Sequence, residues 1–63
     1  MNEFKKLLKE KDITGAQLAR KLKLSRGQVS YWTSGKGVPK TIYIPQIAVI
    51  LNESVERILK CFE

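Results

Sequence analysis

Two six-residue stretches of this chain repeat one pattern, and the pattern fixes where two of its helices must start. Ile13-Thr14-Gly15-Ala16-Gln17-Leu18 and Leu24-Ser25-Arg26-Gly27-Gln28-Val29 each run apolar, hydroxyl, two variable residues, Gln, apolar. The Thr14 or Ser25 hydroxyl can accept from the N–H three residues on, and Gln17 or Gln28 can reach back to the cap's own N–H. Ile13 with Leu18, and Leu24 with Val29, stand where a hydrophobic staple is needed. The two starts lie 11 residues apart. That separation holds about two turns of helix and a tight turn, so the two helices must bend sharply against each other. Such spacing is that of a helix-turn-helix.

A chain of 63 residues is expected to be one domain, spanning 1–63, with a thin core. It has one cysteine, Cys61, and no histidine. Neither an internal disulfide nor the usual zinc spacing is available, so no metal and no cofactor are expected. Stability must come from helix packing or from association with another copy. No apolar run is long enough to span a bilayer and no signal-peptide core is present, which points away from membranes and toward a reduced cytosol. Met1 fits a whole protein rather than an excised domain. There are no paired carboxylates on a shared face, no phosphate-cradling glycine motif and no Cys–His pair. Neither an enzyme nor a small-molecule substrate is therefore expected.

The net charge of +6 is unevenly distributed. Residues 1–12 and 53–63 hold every acid of the chain, close to balanced by their own lysines and Arg57. Residues 13–52 carry Arg20, Lys21, Lys23, Arg26, Lys36 and Lys40 and no acid at all. A surface without carboxylates suits a polyanion, because carboxylates would repel phosphate. A merely solubilising surface is the plain alternative. The coincidence of the acid-free segment with the paired helix starts favours nucleic acid.

Helix 1 is expected from Glu3 to Lys11, capped by Asn2, with Phe4, Leu7 and Leu8 as its apolar stripe. Helix 2 spans Gly15 to Leu22 and buries Leu18, Ala19 and Leu22, with Lys23 in the turn. Helix 3 runs from Arg26 to about Ser34 and ends at Gly35 in a left-handed cap, with Val29 and Trp32 facing inward. Gly35 to Lys40 forms a loop. Pro45 fits the first turn of helix 4, Ile47, Ala48, Ile50 and Leu51 its buried stripe, and Asn52 its left-handed end. Ser54 caps helix 5, whose apolar side is Val55, Ile58, Leu59 and Phe62. Thr41 to Ile44 has strand propensity but no partner strand, so Ile42 and Ile44 are expected to plug the core from a loop. The architecture is all-α, a compact five-helix bundle with a helix-turn-helix formed by helices 2 and 3.

Over nearly its whole length, from Phe4 to about Phe62, the chain resembles the DNA-binding domain of the lambda-type phage repressor and Cro helix-turn-helix family. Leu18, Ala19, Leu22, Leu24, Val29 and Trp32 meet the family's pattern of buried positions. Pro45, Ile47, Ala48, Leu51, Asn52, Ser54 and Val55 resemble its closing helices. Three departures stand out. Lys23 replaces the usual turn glycine, at a cost of about 1 kcal/mol for positive φ. Leu8 and Thr33 replace a buried Arg–Glu pair, so helices 1 and 3 should meet through apolar packing. Arg57 stands where an aromatic often lies at the dimer contact.

The resemblance implies a small transcriptional regulator of the phage or mobile-element repressor kind. It also implies a bacterial, cytoplasmic protein, nucleoid-associated when bound, that sends helix 3 into the major groove of double-stranded DNA. By the same resemblance, Arg26, Gly27, Gln28, Ser30 and Tyr31 face base edges or the adjacent backbone. Arg26 can fork onto O6 and N7 of a guanine; a plain phosphate contact is the alternative. Gln28 can pair with adenine only if its amide is not consumed in capping. Tyr31 can meet a thymine methyl or a phosphate. Phosphate anchoring is expected from Thr14, Gly15 and Ser25 at helix starts and from Lys36 and Lys40 in the loop. Trp32, spaced with Val29, belongs to the core rather than to a stacking surface. Useful affinity should need a homodimer on two half-sites, formed in solution or only on DNA, with contacts near Tyr43, Val55 and Arg57. A protein-interaction module on the same fold is the alternative function. An RNA binder is disfavoured because no sheet carries stacking aromatics.

Overall fold

The computed structural model describes residues 2–63; Met1 lies outside them. Five helices form: α1 (Glu3–Glu10), α2 (Gly15–Leu22), α3 (Arg26–Thr33), α4 (Ile44–Leu51) and α5 (Val55–Lys60), with a 3₁₀ turn at Thr41–Tyr43 before α4. No strand occurs among the described residues. α1 and α3 stop one residue earlier than the sequence suggests, within the usual fraying of helix ends.

Four of the five helices start on a side-chain cap. The Asn2, Thr14, Ser25 and Ser54 oxygens accept from the N–H groups of Lys5, Gln17, Gln28 and Arg57 at 2.9, 3.1, 3.3 and 3.1 Å. Only α4 lacks one, and there Pro45 occupies the first turn, where a missing N–H does no harm.

The helix ends share a second device. After each of α1 to α4 the chain turns through one left-handed residue, Asp12, Lys23, Gly35 and Asn52, with φ of 56°, 61°, 81° and 55°. In each turn the following N–H closes onto a carbonyl five residues back. Ile13 bonds Leu8 at 3.0 Å, Leu24 bonds Ala19 at 2.9 Å, Lys36 bonds Tyr31 at 3.1 Å and Glu53 bonds Ala48 at 2.9 Å. This is the Schellman closure, which satisfies carbonyls that a helix end leaves orphaned. Glycine fills only one of the four left-handed positions. Asn52 and Asp12 tolerate the conformation better than most residues, whereas Lys23 has no side-chain chemistry that helps it.

The core is a single cluster. Phe4, Leu7 and Leu8 of α1, Leu18, Ala19 and Leu22 of α2, Val29 and Trp32 of α3, Ile44, Ile47, Ala48 and Leu51 of α4, and Ile58 of α5 are all buried. Phe4 sits at its centre. Its ring meets Trp32 edge-on, with centroids 6.4 Å apart, and Phe62 at 4.9 Å. α1 and α3 therefore do meet through apolar packing. A polar clasp with no local signature joins them too: the Asn2 amide donates to the Trp32 carbonyl at 2.7 Å.

Three expectations about burial need correction. Ile42 is 68% exposed and does not plug the core. Ile44 is buried, but as the first residue of α4 rather than from a loop. The reason is rotation. In an extended loop, residues two apart share a face, whereas in the 3₁₀ and α turns formed here they diverge by about 200–240°. The loop residue buried instead is Pro39. Val55 and Leu59 are also half-exposed rather than buried, so α5 contributes mainly Ile58, with Phe62 half-buried beyond it.

Ion pairs tie the chain's outer segments together. Lys11 reaches Glu53 at 2.7 Å, linking the end of α1 to the α4–α5 turn, and Arg57 lies 3.6 Å from Glu10. The hydrogen bond from Lys11 holds the Glu53 carboxyl below its usual pKa, against a smaller opposing effect of desolvation.

Lys23→Gly should raise the free energy of unfolding by about 0.5–1 kcal/mol. Relief of left-handed strain exceeds the added chain entropy of glycine. Chemical denaturation of the two proteins, with an unchanged denaturant slope, checks this.

Candidate nucleic-acid interface

α2 and α3 pack against each other, with Leu18, Ala19 and Leu22 of the first and Val29 of the second all buried. Ala19 is 1% exposed where the two helices come together, and its single methyl lets them approach. With Val29 and Trp32 turned inward, the rest of α3 is left outside. Arg26, Gly27, Gln28, Ser30 and Tyr31 are all exposed on it. The structure therefore places the five residues expected to face bases on the outer surface of one eight-residue helix. Trp32, only 5% exposed, is a core residue, as its spacing with Val29 suggests.

The two capping patterns are not equivalent in space. Around α2 the box closes fully: Gln17 donates its N–H to Thr14 Oγ1, and the Thr14 N–H donates to Gln17 Oε1 at 2.8 Å. Around α3 only the first half forms, from the Gln28 N–H to Ser25 Oγ. The Gln28 amide is not drawn back into the cap and remains on the outer face.

Tyr31 is held in a way the sequence did not announce. A Cβ added at Gly37 would fall 2.5 Å from Cδ2 and 2.6 Å from Cε2 of the Tyr31 ring. The ring thus lies directly against the Gly37 backbone. The Schellman turn at Gly35 folds the loop back along α3 and produces this contact, and Ser34 Oγ adds a bond to the Tyr31 carbonyl at 3.1 Å. Tyr31 remains 55% exposed. No local pattern signals the contact, because it depends on where the loop goes after the turn.

The loop also loses donors to this turn. The N–H groups of Gly35 and Lys36 bond the Trp32 and Tyr31 carbonyls, so neither is free to hold a phosphate. The Lys36 and Lys40 side chains are exposed. At the start of α2, Thr14 is exposed and Gly15 half-buried, with Gly15 and Ala16 carrying helix-start N–H groups that no intrahelical acceptor meets. A Cβ on Gly15 would sit 3.4 Å from Val29 Cγ1, so this glycine lies close against α3.

The ion pairs are unevenly placed along the chain. The three ion pairs among the described residues, Lys6–Glu3, Lys11–Glu53 and Arg57–Glu10, all lie in the outer segments. Arg20, Lys21, Lys23, Arg26, Lys36 and Lys40 are exposed, and among the described residues none of them pairs with a carboxylate. A hollow of about 300 Å³ opens beside α3, lined by Ser25, Gly27, Gln28, Tyr31 and Trp32. The thiol of Cys61, by contrast, is turned inward to the Arg57 carbonyl at 3.3 Å, and burial pushes its pKa up.

An outward helix set by a tight left-handed turn, within a segment rich in unpaired cations, suits a domain that binds the DNA double helix. A helix-turn-helix family model matches residues 4–58, and the chain belongs to this family, in its lambda-repressor and Cro type, as a DNA-binding regulator. No curated protein and no solved structure matches the chain.

Gly37→Ala should leave the fold intact, since the obstructed group is an exposed ring that can swing aside. The Tyr31 ring should leave the loop. Loss of the nuclear Overhauser contacts between the Tyr31 ring and residue 37, with the other core contacts unchanged, is the expected result.

Proposed function

We propose that this protein is a sequence-specific transcriptional regulator, a repressor of the kind carried by phages or mobile elements, that inserts α3 into the major groove. In this account Arg26, Gln28, Ser30 and Tyr31 meet base edges, with Gly27 bringing the helix close to them. Gly15 and Ser25 present helix-start N–H groups to phosphates on one strand, Thr14 offers its exposed hydroxyl because its own N–H is taken by Gln17 Oε1, and the Lys36 and Lys40 side chains hold the other strand. Occupancy of an operator would then exclude or recruit polymerase.

The observation that carries this reading is that the exposed face of α3 belongs to an acid-free segment whose six cations are exposed and have no acidic partner. A solubilising surface gains nothing from excluding acids, whereas a phosphate-binding one does. The free Gln28 amide supports a role for it in reading adenine, since capping does not consume it. For Arg26, its place in the first turn of α3 supports a bidentate contact with guanine, as recognition helices read bases with their N-terminal residues.

A single domain of this size covers only a modest stretch of DNA, so we infer a homodimer on two half-sites. The half-exposed Val55 and Leu59 give α5 an apolar edge that supports such an association. Tyr43 contributes less than the sequence suggests, because it is half-buried with its ring 6.2 Å from that of Trp32. Among the described residues no helix is long and apolar enough to cross a membrane. A bacterial cytoplasmic site of action follows from the proposed role.

Selection of binding sites from random duplex, followed by Arg26→Ala, tests the assignment. Loss of discrimination at one base pair, worth about 1–3 kcal/mol, is expected. Uniform weakening over all sites would make Arg26 an anchor only. A protein that showed no preference for duplex at all would instead be an interaction module. With about six phosphate contacts, affinity should fall about 10³-fold between 50 and 200 mM salt. A flat salt response in the same gel-shift titration would contradict the role given to the unpaired cations.

A further inference from the structure

The backbone gives no reason for a glycine at position 37. Of the chain's four glycines only Gly35 takes a left-handed φ. What a side chain at 37 would meet is the Tyr31 ring. Cδ2 and Cε2 would stand 2.5 and 2.6 Å from its first carbon, and Cγ 3.8 Å, so one edge of the ring is the obstruction.

The two partners are held with unequal firmness. The backbone around Gly37 is fixed from both sides. Before it, the Gly35 and Lys36 N–H groups close onto the Trp32 and Tyr31 carbonyls, and the Asn2 amide holds the same Trp32 carbonyl. After it, Pro39 is buried and its φ is locked by its ring. An exposed tyrosine on a helix, by contrast, ordinarily chooses among staggered rotamers. Gly37 is therefore the wall, and the ring is what it positions. Burial does not explain the contact, because Tyr31 stays 55% exposed.

A flexible side chain that must be ordered on binding weakens affinity, and one ordered beforehand avoids that loss. Building on the assignment of α3 as the DNA-reading helix, we propose that Gly37 is a specificity-determining positioning residue that acts through Tyr31. Its bare backbone holds the ring in the orientation that meets one base pair of the operator. The loop after α3 thus sets the direction of a side chain on α3. A side chain at 37 would dislodge that ring and leave Arg26 and Gln28, in the first turn of the helix, as they are.

The test uses the intact protein and the duplex site that it selects. Tyr31→Ala should lose discrimination at one base pair per half-site, which identifies the pair that the ring meets. Gly37→Ala, shown to be folded by circular dichroism, should lose discrimination at that same pair. It should bind the selected site about three- to ten-fold more weakly, the effect of ordering one side chain on binding. Its affinity for random-sequence duplex should not change. In a Tyr31→Ala background, Gly37→Ala should add nothing. In the unaltered protein the nuclear Overhauser contacts between the ring and Gly37 should persist on DNA, a measurement that does not depend on any variant folding. The proposal falls if Gly37→Ala keeps full discrimination, if it weakens selected and random duplex alike, or if it weakens binding as much without the ring. It falls equally if the ring leaves Gly37 on the operator. A Tyr31→Ala protein that still discriminates at every pair removes the base-meeting role of Tyr31, and the proposal with it. Failure to select any site from random duplex would instead overturn the DNA-reading role of α3.

Discussion

The reversal between α2 and α3 is completed in three residues, Lys23, Leu24 and Ser25, and the orientation of the whole outer face follows from it. Lys23 takes a left-handed conformation, the Leu24 N–H closes onto Ala19, and Ser25 at once caps the next helix. Each group has little freedom once its neighbours are set. Ala19 is small enough for α3 to pack down against α2, and Val29 then has one place to go. With Val29 and Trp32 inside, Arg26, Gln28 and Tyr31 are outside by helical geometry alone. A bulky residue at 19 would part the helices and reorient every one of these side chains.

Charge is divided between two tasks along the chain. The outer segments carry acids and bases together, and their pairs join the end of α1 to α5 and to the turn before it. The middle segment carries bases alone. A cation that already has a carboxylate partner must surrender it, or share it, to hold a phosphate. Those between Arg20 and Lys40 have nothing to surrender. The separation lets one small domain use ion pairs for cohesion without weakening the field it presents to a polyanion.

Local chemistry was legible and distant chemistry was not. The caps at Asn2, Thr14, Ser25 and Ser54, the left-handed ends at Gly35 and Asn52, and the inward set of Val29 and Trp32 follow from residues within a turn of one another. The left-handed turn at Asp12 has no glycine or asparagine to mark it, and it is recognisable only from the Ile13-to-Leu8 bond. Ile42 departs from the expected burial because an extended segment would set it beside Ile44, whereas the helical turn rotates it out. On the outer face, the exposure of Arg26 to Tyr31 was legible from helical spacing. The halved capping box at Gln28 and the seating of Tyr31 on Gly37 were not. Both depend on where separate backbone segments arrive in space, about which hydropathy patterning is silent.

Trp32 has a double position that gives the molecule an unplanned use. One side of the indole meets Phe4 in the interior, and another part borders the hollow next to Gln28 and Tyr31. It is the chain's one tryptophan. A single intrinsic chromophore therefore touches both the packing that keeps the domain folded and the surface that is offered to its target. Melting and ligand occupancy alter its surroundings from opposite sides, so unlabelled protein can be followed optically through both events.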